Sequence, residues 1–139
     1  MKITDEQLIS AAISARETAY APYSGFRVGA AIACSDGEIY TGCNVENSAY
    51  GECMCAERVA LFGAVSHGTR SFSAIAVAGG GDAGISGGSP PCGACRQVMS
   101  EFCKDGLRIL VVTSNDGDCR EYALGELLPE AFSASDLQA

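Results

Sequence analysis

Two short cysteine motifs constrain this chain more than any other feature: Cys55-Ala56-Glu57 and Pro91-Cys92-Gly93-Ala94-Cys95. A structural zinc ion is normally closed by four protein ligands, whereas a catalytic zinc keeps three and leaves the fourth position to water. One Cys from the first motif and two from the second make three. Glu57 follows the first sulfur by two residues, where a carboxylate can reach the open position without binding the metal. The pattern predicts one zinc per chain, held by Cys55, Cys92 and Cys95, with Glu57 as a proton carrier beside it.

The other cysteines have to be read with the compartment in mind. Met1 to Ser10 carry Asp5 and Glu6 and no apolar stretch, so no export signal is expected and the setting is read as cytoplasmic and reducing. There, clustered Cys favour metal binding or catalysis, although spacing alone leaves disulfides among the eight Cys open. Cys34, Cys43, Cys103 and Cys119 stand alone and read as small buried hydrophobes or inert thiols. A length of 139 residues, 47% of them apolar, suits one domain over residues 1–139 with one core. A formal charge of −8 opposes binding to phosphate backbones or anionic lipid. No run approaches the roughly 18 apolar residues of a membrane span, so neither nucleic acid nor membrane is an expected partner.

Along the chain, helix and strand signals alternate. Thr4 with Gln7 resembles a capping box, and Leu8, Ile9, Ala12, Ala15 and Ala19 recur at helical spacing, predicting a helix to about Tyr20 before Pro22. Phe26 to Cys34 and Glu38 to Val45 read as strands joined by Ser35-Asp36-Gly37, a hairpin signal. Met54 to about Ser66 reads as an apolar helix, and Phe72 to Ala78 as a buried strand. A Gly-rich loop, Gly79 to Pro91, leads to a helix at Cys92 to Phe102 and a strand at Leu107 to Thr113. Cys119 to Tyr122 reads as a short strand and Ala123 to Leu128 as a short helix. This order implies an α/β fold with a mixed sheet and helices packed across it. Both metal motifs then open helices, where unpaired N–H groups and the positive end of the helix dipole favour thiolates.

With these elements in place, the sequence resembles the small cytidine deaminases of pyrimidine salvage over most of its length. The resemblance rests on Pro22-Tyr23-Ser24-Gly25-Phe26-Arg27-Val28-Gly29-Ala30-Ala31, Gly42-Cys43-Asn44-Val45-Glu46-Asn47, Tyr50-Gly51, Cys55-Ala56-Glu57-Arg58, Pro91 to Gln97, and Leu127-Leu128-Pro129-Glu130-Ala131-Phe132. It implies a single-domain, three-layer fold with about five strands and helices on both faces. It also implies hydrolysis of cytidine and deoxycytidine at a zinc site that combines His or Cys, a Glu that is not a ligand, and P-C-x-x-C. Asn44 and Glu46 would hold the ribose hydroxyls, and Phe26, Ala56, Tyr50 and Phe132 would complete the substrate contacts. Arg58 matches the family arginine that bonds the ligand sulfurs and withdraws charge from a three-thiolate metal. Arg96 suits a surface or a subunit interface equally. The family forms homotetramers in which neighbours complete each active site, and the same is expected here.

Local departures and competing readings remain. Glu52-Cys53-Met54 places a second thiol just before the first ligand, but Cys53 and Cys55 should point to different sides. His67 lies too far along its helix to join them. A structural zinc or thiol-redox module would explain the cysteines and leave Glu57, Asn44 and Glu46 idle. A deaminase of nucleotides or transfer RNA would want cationic contacts to phosphate, and a deaminase of nucleoside antibiotics is the nearer alternative.

Overall fold

Strands that are apolar at nearly every position must be covered on both faces, and β1 (Arg27–Cys34), β3 (Phe72–Gly80) and β4 (Arg108–Val112) are of this kind. The computed structural model describes residues 2–104 and 106–138. With β2 (Ile39–Cys43) and β5 (Cys119–Ala123) these strands form a five-stranded sheet in the order β2-β1-β3-β4-β5. β3 and β4 run parallel, and the other neighbouring pairs run antiparallel. Leu8, Ile9 and Ala12 of α1 (Asp5–Ala15) cover one face, against Ala31, Ala33, Ala74, Ala76, Ala78, Leu110 and Val112. The opposite face carries Ala30, Ile32, Ile75, Val77, Ile109 and Val111 beneath α2 (Ala56–Ser66), α3 (Gly93–Phe102) and the short α4 (Leu124–Leu127). The mixed sheet with helices on both faces is therefore the architecture expected from the sequence.

Local chemistry accounts for the element boundaries. The Thr4 hydroxyl accepts the Gln7 N–H at 3.1 Å while the Gln7 side chain accepts the Thr4 N–H at 2.9 Å, which closes the capping box. The α-helix ends at Ala15, earlier than the periodicity suggests, and a 3-10 turn at Arg16–Thr18 continues it. That tighter turn brings the buried Arg16 guanidinium to the mouth of the sheet. Its Nε donates to Arg27 O at 3.0 Å, and Nη2 donates to Gly80 O at 2.8 Å and to Gly81 O. Between β1 and β2, Gly37 takes a positive φ of 94°, and Asp36 Oδ1 accepts the Glu38 N–H at 3.0 Å.

Two glycines set how closely helices approach the sheet. A Cβ at Gly29 would stand 2.1 Å from Ala12 O, and one at Gly42 would stand 2.5 Å from Ala60 N and 2.7 Å from Ala56 O. Since α2 carries the first metal motif at its start, the missing Cβ at Gly42 fixes that motif's distance from β2. We expect Gly42→Ala to lower the melting temperature by about 5 °C, the usual effect of overpacking in a domain of this size. Thermal denaturation giving a wild-type midpoint would show that α2 tolerates the shift.

Arg108 ties the start of α1 to β4 and β5, bonding Asp5 through Nη1 and Nη2 at 3.0 and 2.8 Å and Glu121 through Nε at 2.9 Å. These bonds hold both carboxyls below their ordinary range. A depressed folded-state pKa stabilises above the unfolded value, and the gain is lost as pH falls through the folded value. Because the groups are partly exposed, Arg108→Ala should cost about 3 °C of melting temperature at pH 7. The gap to wild type should close as the pH falls below the ordinary carboxyl range. A gap independent of pH would assign the loss to packing of the arginine stem.

Candidate metal centre

The first motif is positioned from behind by backbone pairing. Val45 and Met54 form an antiparallel bridge, with Val45 N donating to Met54 O at 3.0 Å and Met54 N to Val45 O at 2.9 Å, which leaves Cys55 as the N-cap of α2. The Cys55 side chain makes no capping bond, so its sulfur is free for other partners. Cys92 is the N-cap of α3, and its Sγ accepts the Cys95 N–H at 3.5 Å. Arg96, just inside α3, donates to Pro91 O at 2.7 Å and to Leu127 O at 2.9 Å, fixing the residue before Cys92 to the end of α4. The arginine that could equally have sat at a surface is thus an internal clamp.

These anchors bring three sulfurs together. Cys55 Sγ lies 3.7 Å from Cys92 Sγ, which lies 3.5 Å from Cys95 Sγ, and all three fall within 4.8 Å of one another. Three sulfurs about 2.3 Å from a tetrahedral zinc stand about 3.8 Å apart, so the spacing fits zinc. Cys92 is exposed, Cys55 half-buried and Cys95 buried, so the cluster opens to one side. The Cys55 thiol is pulled down to about 5, first by its bond with Cys95 and then by Arg58, which opposes the cost of burial. Cys95, sharing its proton with Cys55 and buried, is pushed up. Arg58 Nη2 stands 3.3 Å from Cys55 Sγ, and that contact raises the guanidinium pKa further.

Glu57 is one of two charged residues that are buried among the described residues, the other being Arg16. Burial pushes its carboxyl up to about 7; its own backbone N–H opposes the shift and the Cys55 charge adds to it. It lines a cavity of about 280 Å3 together with Cys55, Cys92, Ala56, Phe26, Asn44 and Glu46. Val28, Cys53, Met54, Ser89 and Pro90 complete the lining. Asn44 and Glu46 lie just past the end of β2, not within it, and both still reach the cavity. Tyr50 and Phe132 are 74% and 60% exposed and lie outside the cavity of their own chain. Tyr50 packs edge-on against Tyr23 with ring centroids 5.8 Å apart.

The remaining cysteines and the histidine are not part of the sulfur cluster. Cys53 Sγ accepts the Asn47 N–H at 3.3 Å and is not among the clustered sulfurs, although the residue lines the same cavity. His67 Nδ1 is 2.8 Å from Gly63 O, and its ring packs on Tyr40. Cys34 is buried, and burial pushes its thiol up to about 11. Two features had no sequence signal: the Arg96 clamp and the bonding of Ser24 to Glu46, whose hydroxyl donates to Glu46 Oε2. Residues 22 positions apart carry no helical or strand period that would join them.

A family model described as the cytidine and deoxycytidylate deaminase zinc-binding region matches residues 2–111. The chain is 52% identical over 132 residues to a cytidine deaminase of Sporosarcina psychrophila, covering 95% of this chain and 93% of that one. It is 48% identical to a cytidine deaminase of Halalkalibacterium halodurans, covering 95% and 96%. The solved cytidine deaminase from Burkholderia pseudomallei has a TM-score of 0.85 and 52% identity, covering 94% of this chain and 100% of that one.

Removing one sulfur leaves too few donors for the ion. Cys55→Ala, Cys92→Ala or Cys95→Ala should each reduce bound zinc from about one per chain to near zero by elemental analysis, with a lower melting temperature. Cys53→Ala should retain the full complement, and loss of zinc in that variant would reassign the first ligand.

Proposed function

The chain belongs to the family of zinc-binding cytidine and deoxycytidylate deaminases, and on that premise we propose that it hydrolyses cytidine and deoxycytidine to uridine and deoxyuridine with release of ammonia. The observation that carries this reading is a cluster of three zinc-spaced sulfurs, two of which line a cavity together with buried Glu57, while Phe26, Asn44 and Glu46 line its other wall. Residues 1–139 act as one deaminase domain in this reading.

Zinc held by Cys55, Cys92 and Cys95 supplies Lewis acidity that brings the pKa of water toward neutrality. Glu57 takes a proton from the attacking water and delivers it to the pyrimidine N3 as oxygen adds at C4. It then takes the second proton of that oxygen and passes it to the departing amino group, so ammonia leaves and the C4 carbonyl forms. A carboxyl raised toward 7 by burial is suited to both transfers at neutral pH. Arg58, bonded to Cys55, offsets the negative charge that three thiolates place on the site. Asn44 and Glu46 receive the ribose hydroxyls, Phe26 packs on the base, and Ala56, fully buried at the start of α2, leaves the pyrimidine room beside Glu57.

Tyr20, Tyr23, Tyr50 and Phe132 form exposed aromatic surface, between 52% and 74% accessible. Exposed aromatics that cluster mark a surface that a partner covers, and Tyr23 and Tyr50 pack against each other there. We assign that partner to further copies of the chain, assembled as a homotetramer in which Tyr50 and Phe132 complete neighbouring sites. A cytoplasmic role in pyrimidine salvage follows from this substrate class and from the reduced thiols the site needs. The acidic chain disfavours nucleic acid, and among the described residues no helix is long and apolar enough to cross a membrane.

Ammonia release across cytidine, deoxycytidine, a cytidine monophosphate and free cytosine tests the substrate, with the two nucleosides turning over fastest. Preference for the monophosphate would move the assignment to a nucleotide deaminase. Glu57→Gln should keep its zinc and lower kcat about a thousandfold, the scale of a lost acid–base group. Near-normal turnover would end the proton-carrier role. Light scattering should give a tetramer, and a fully active monomer at assay concentration would remove the shared site.

A further inference from the structure

Ser24 sits on an exposed turn ahead of β1 and joins two residues of one cavity wall, Glu46 and Phe26. Its hydroxyl donates to Glu46 Oε2, and its Oγ accepts the Phe26 N–H at 3.0 Å. The direction of both bonds follows from chemistry: a backbone N–H can only donate and an ionised carboxylate can only accept, so the single hydroxyl proton belongs to Glu46. Glu46 Oε1 accepts the Tyr23 and Ser24 N–H groups at 2.9 and 3.1 Å. A carboxylate offers about four lone-pair sites, so these three bonds leave one acceptor position, on Oε2.

The same turn fixes the base-side ring. Asn44 Nδ2 donates to Phe26 O at 2.9 Å, and Asn44 Oδ1 accepts the Val28 N–H at 2.8 Å. The Phe26 backbone is therefore held at its N–H by Ser24 and at its C=O by Asn44. Resting on the reading of Asn44 and Glu46 as sugar contacts, we propose that Ser24 is a positioning residue for nucleoside recognition. Its hydroxyl locks the Glu46 carboxylate with one acceptor free for a ribose hydroxyl, and through the same oxygen sets the backbone of the base-packing Phe26. The Glu46 carboxyl is held below its ordinary range first by the Ser24 hydroxyl bond, with the Ser24 and Tyr23 N–H groups adding to it, which keeps it an acceptor.

The test uses the full zinc-loaded chain, with cytidine as substrate and ammonia release as the readout. Ser24→Ala should raise KM about tenfold, the effect of losing one hydrogen bond to a charged group, with kcat changed less than about twofold. Ser24→Thr, which keeps the hydroxyl, should restore KM to within about twofold of wild type. Glu46→Gln tests the premise separately and should itself raise KM, and the double variant should be no worse than the weaker-binding single one. If Glu46→Gln raises KM and Ser24→Ala does not, the positioning role is overturned while the sugar contact stands. Unchanged KM in Glu46→Gln overturns both. Parallel loss of kcat, KM and melting temperature in Ser24→Ala, without rescue by threonine, would make the residue merely structural and overturn the proposal.

Discussion

Two helix N-termini meet at the thiol cluster, and the rest of the site depends on holding them there. Each helix start presents unpaired N–H groups and about half a positive charge, so α2 and α3 repel where they converge. Cys55 and Cys92 occupy the two N-cap positions, and Cys95 lies one turn inside α3. Thiolates at these points would reverse the local charge, and a dication held by the proposed ligands would tie the two helices together. The helix dipoles lower the cost of ionising the sulfurs, and the ionised sulfurs in turn make the convergence tolerable.

Burial sets the division of labour among the acids near the cavity. Glu57 lies beneath the surface, and burial raises its affinity for a proton more than the nearby Arg58 charge lowers it. Glu46, on the opposite wall, is wrapped by N–H and O–H donors and stays ionised. In the proposed mechanism, two glutamates on one cavity take different parts, proton carrier and fixed acceptor, through environment rather than residue type.

Much of the scaffold was legible because its signals are local. The Thr4–Gln7 box, the Asp36-Gly37 turn and the C-x-x-C at a helix start each involve residues within a turn of one another. The two faces of the sheet also follow from strands with almost no polar residue. What stayed hidden is chemistry between segments distant in sequence. Arg16 reaches Gly80 across 64 positions, and nothing in its neighbourhood marks it as the clamp on two strand ends. Gly42 looks like an ordinary strand glycine until Ala56 O and Ala60 N are found where its side chain would be. The sequence reads as strand through Val45, whereas β2 ends at Cys43 and the placement of Asn44 and Glu46 comes from the Val45–Met54 bridge and the Ser24 turn.

The parallel pairing of β3 with β4 also bears on the order in which the chain assembles. A hairpin such as β1–β2 closes over a few residues, but the β3–β4 ladder waits for everything in residues 81–107, including the Gly-rich loop and α3. Loop-closure entropy makes long-separation contacts slow relative to local ones. The segment carrying Cys92 and Cys95 lies within that crossover, so closing the β3–β4 ladder also places the second half of the sulfur cluster. Cys55 leaves the ribosome well before Cys92 and Cys95, so the three-sulfur cluster cannot exist until that crossover has been made and folded back.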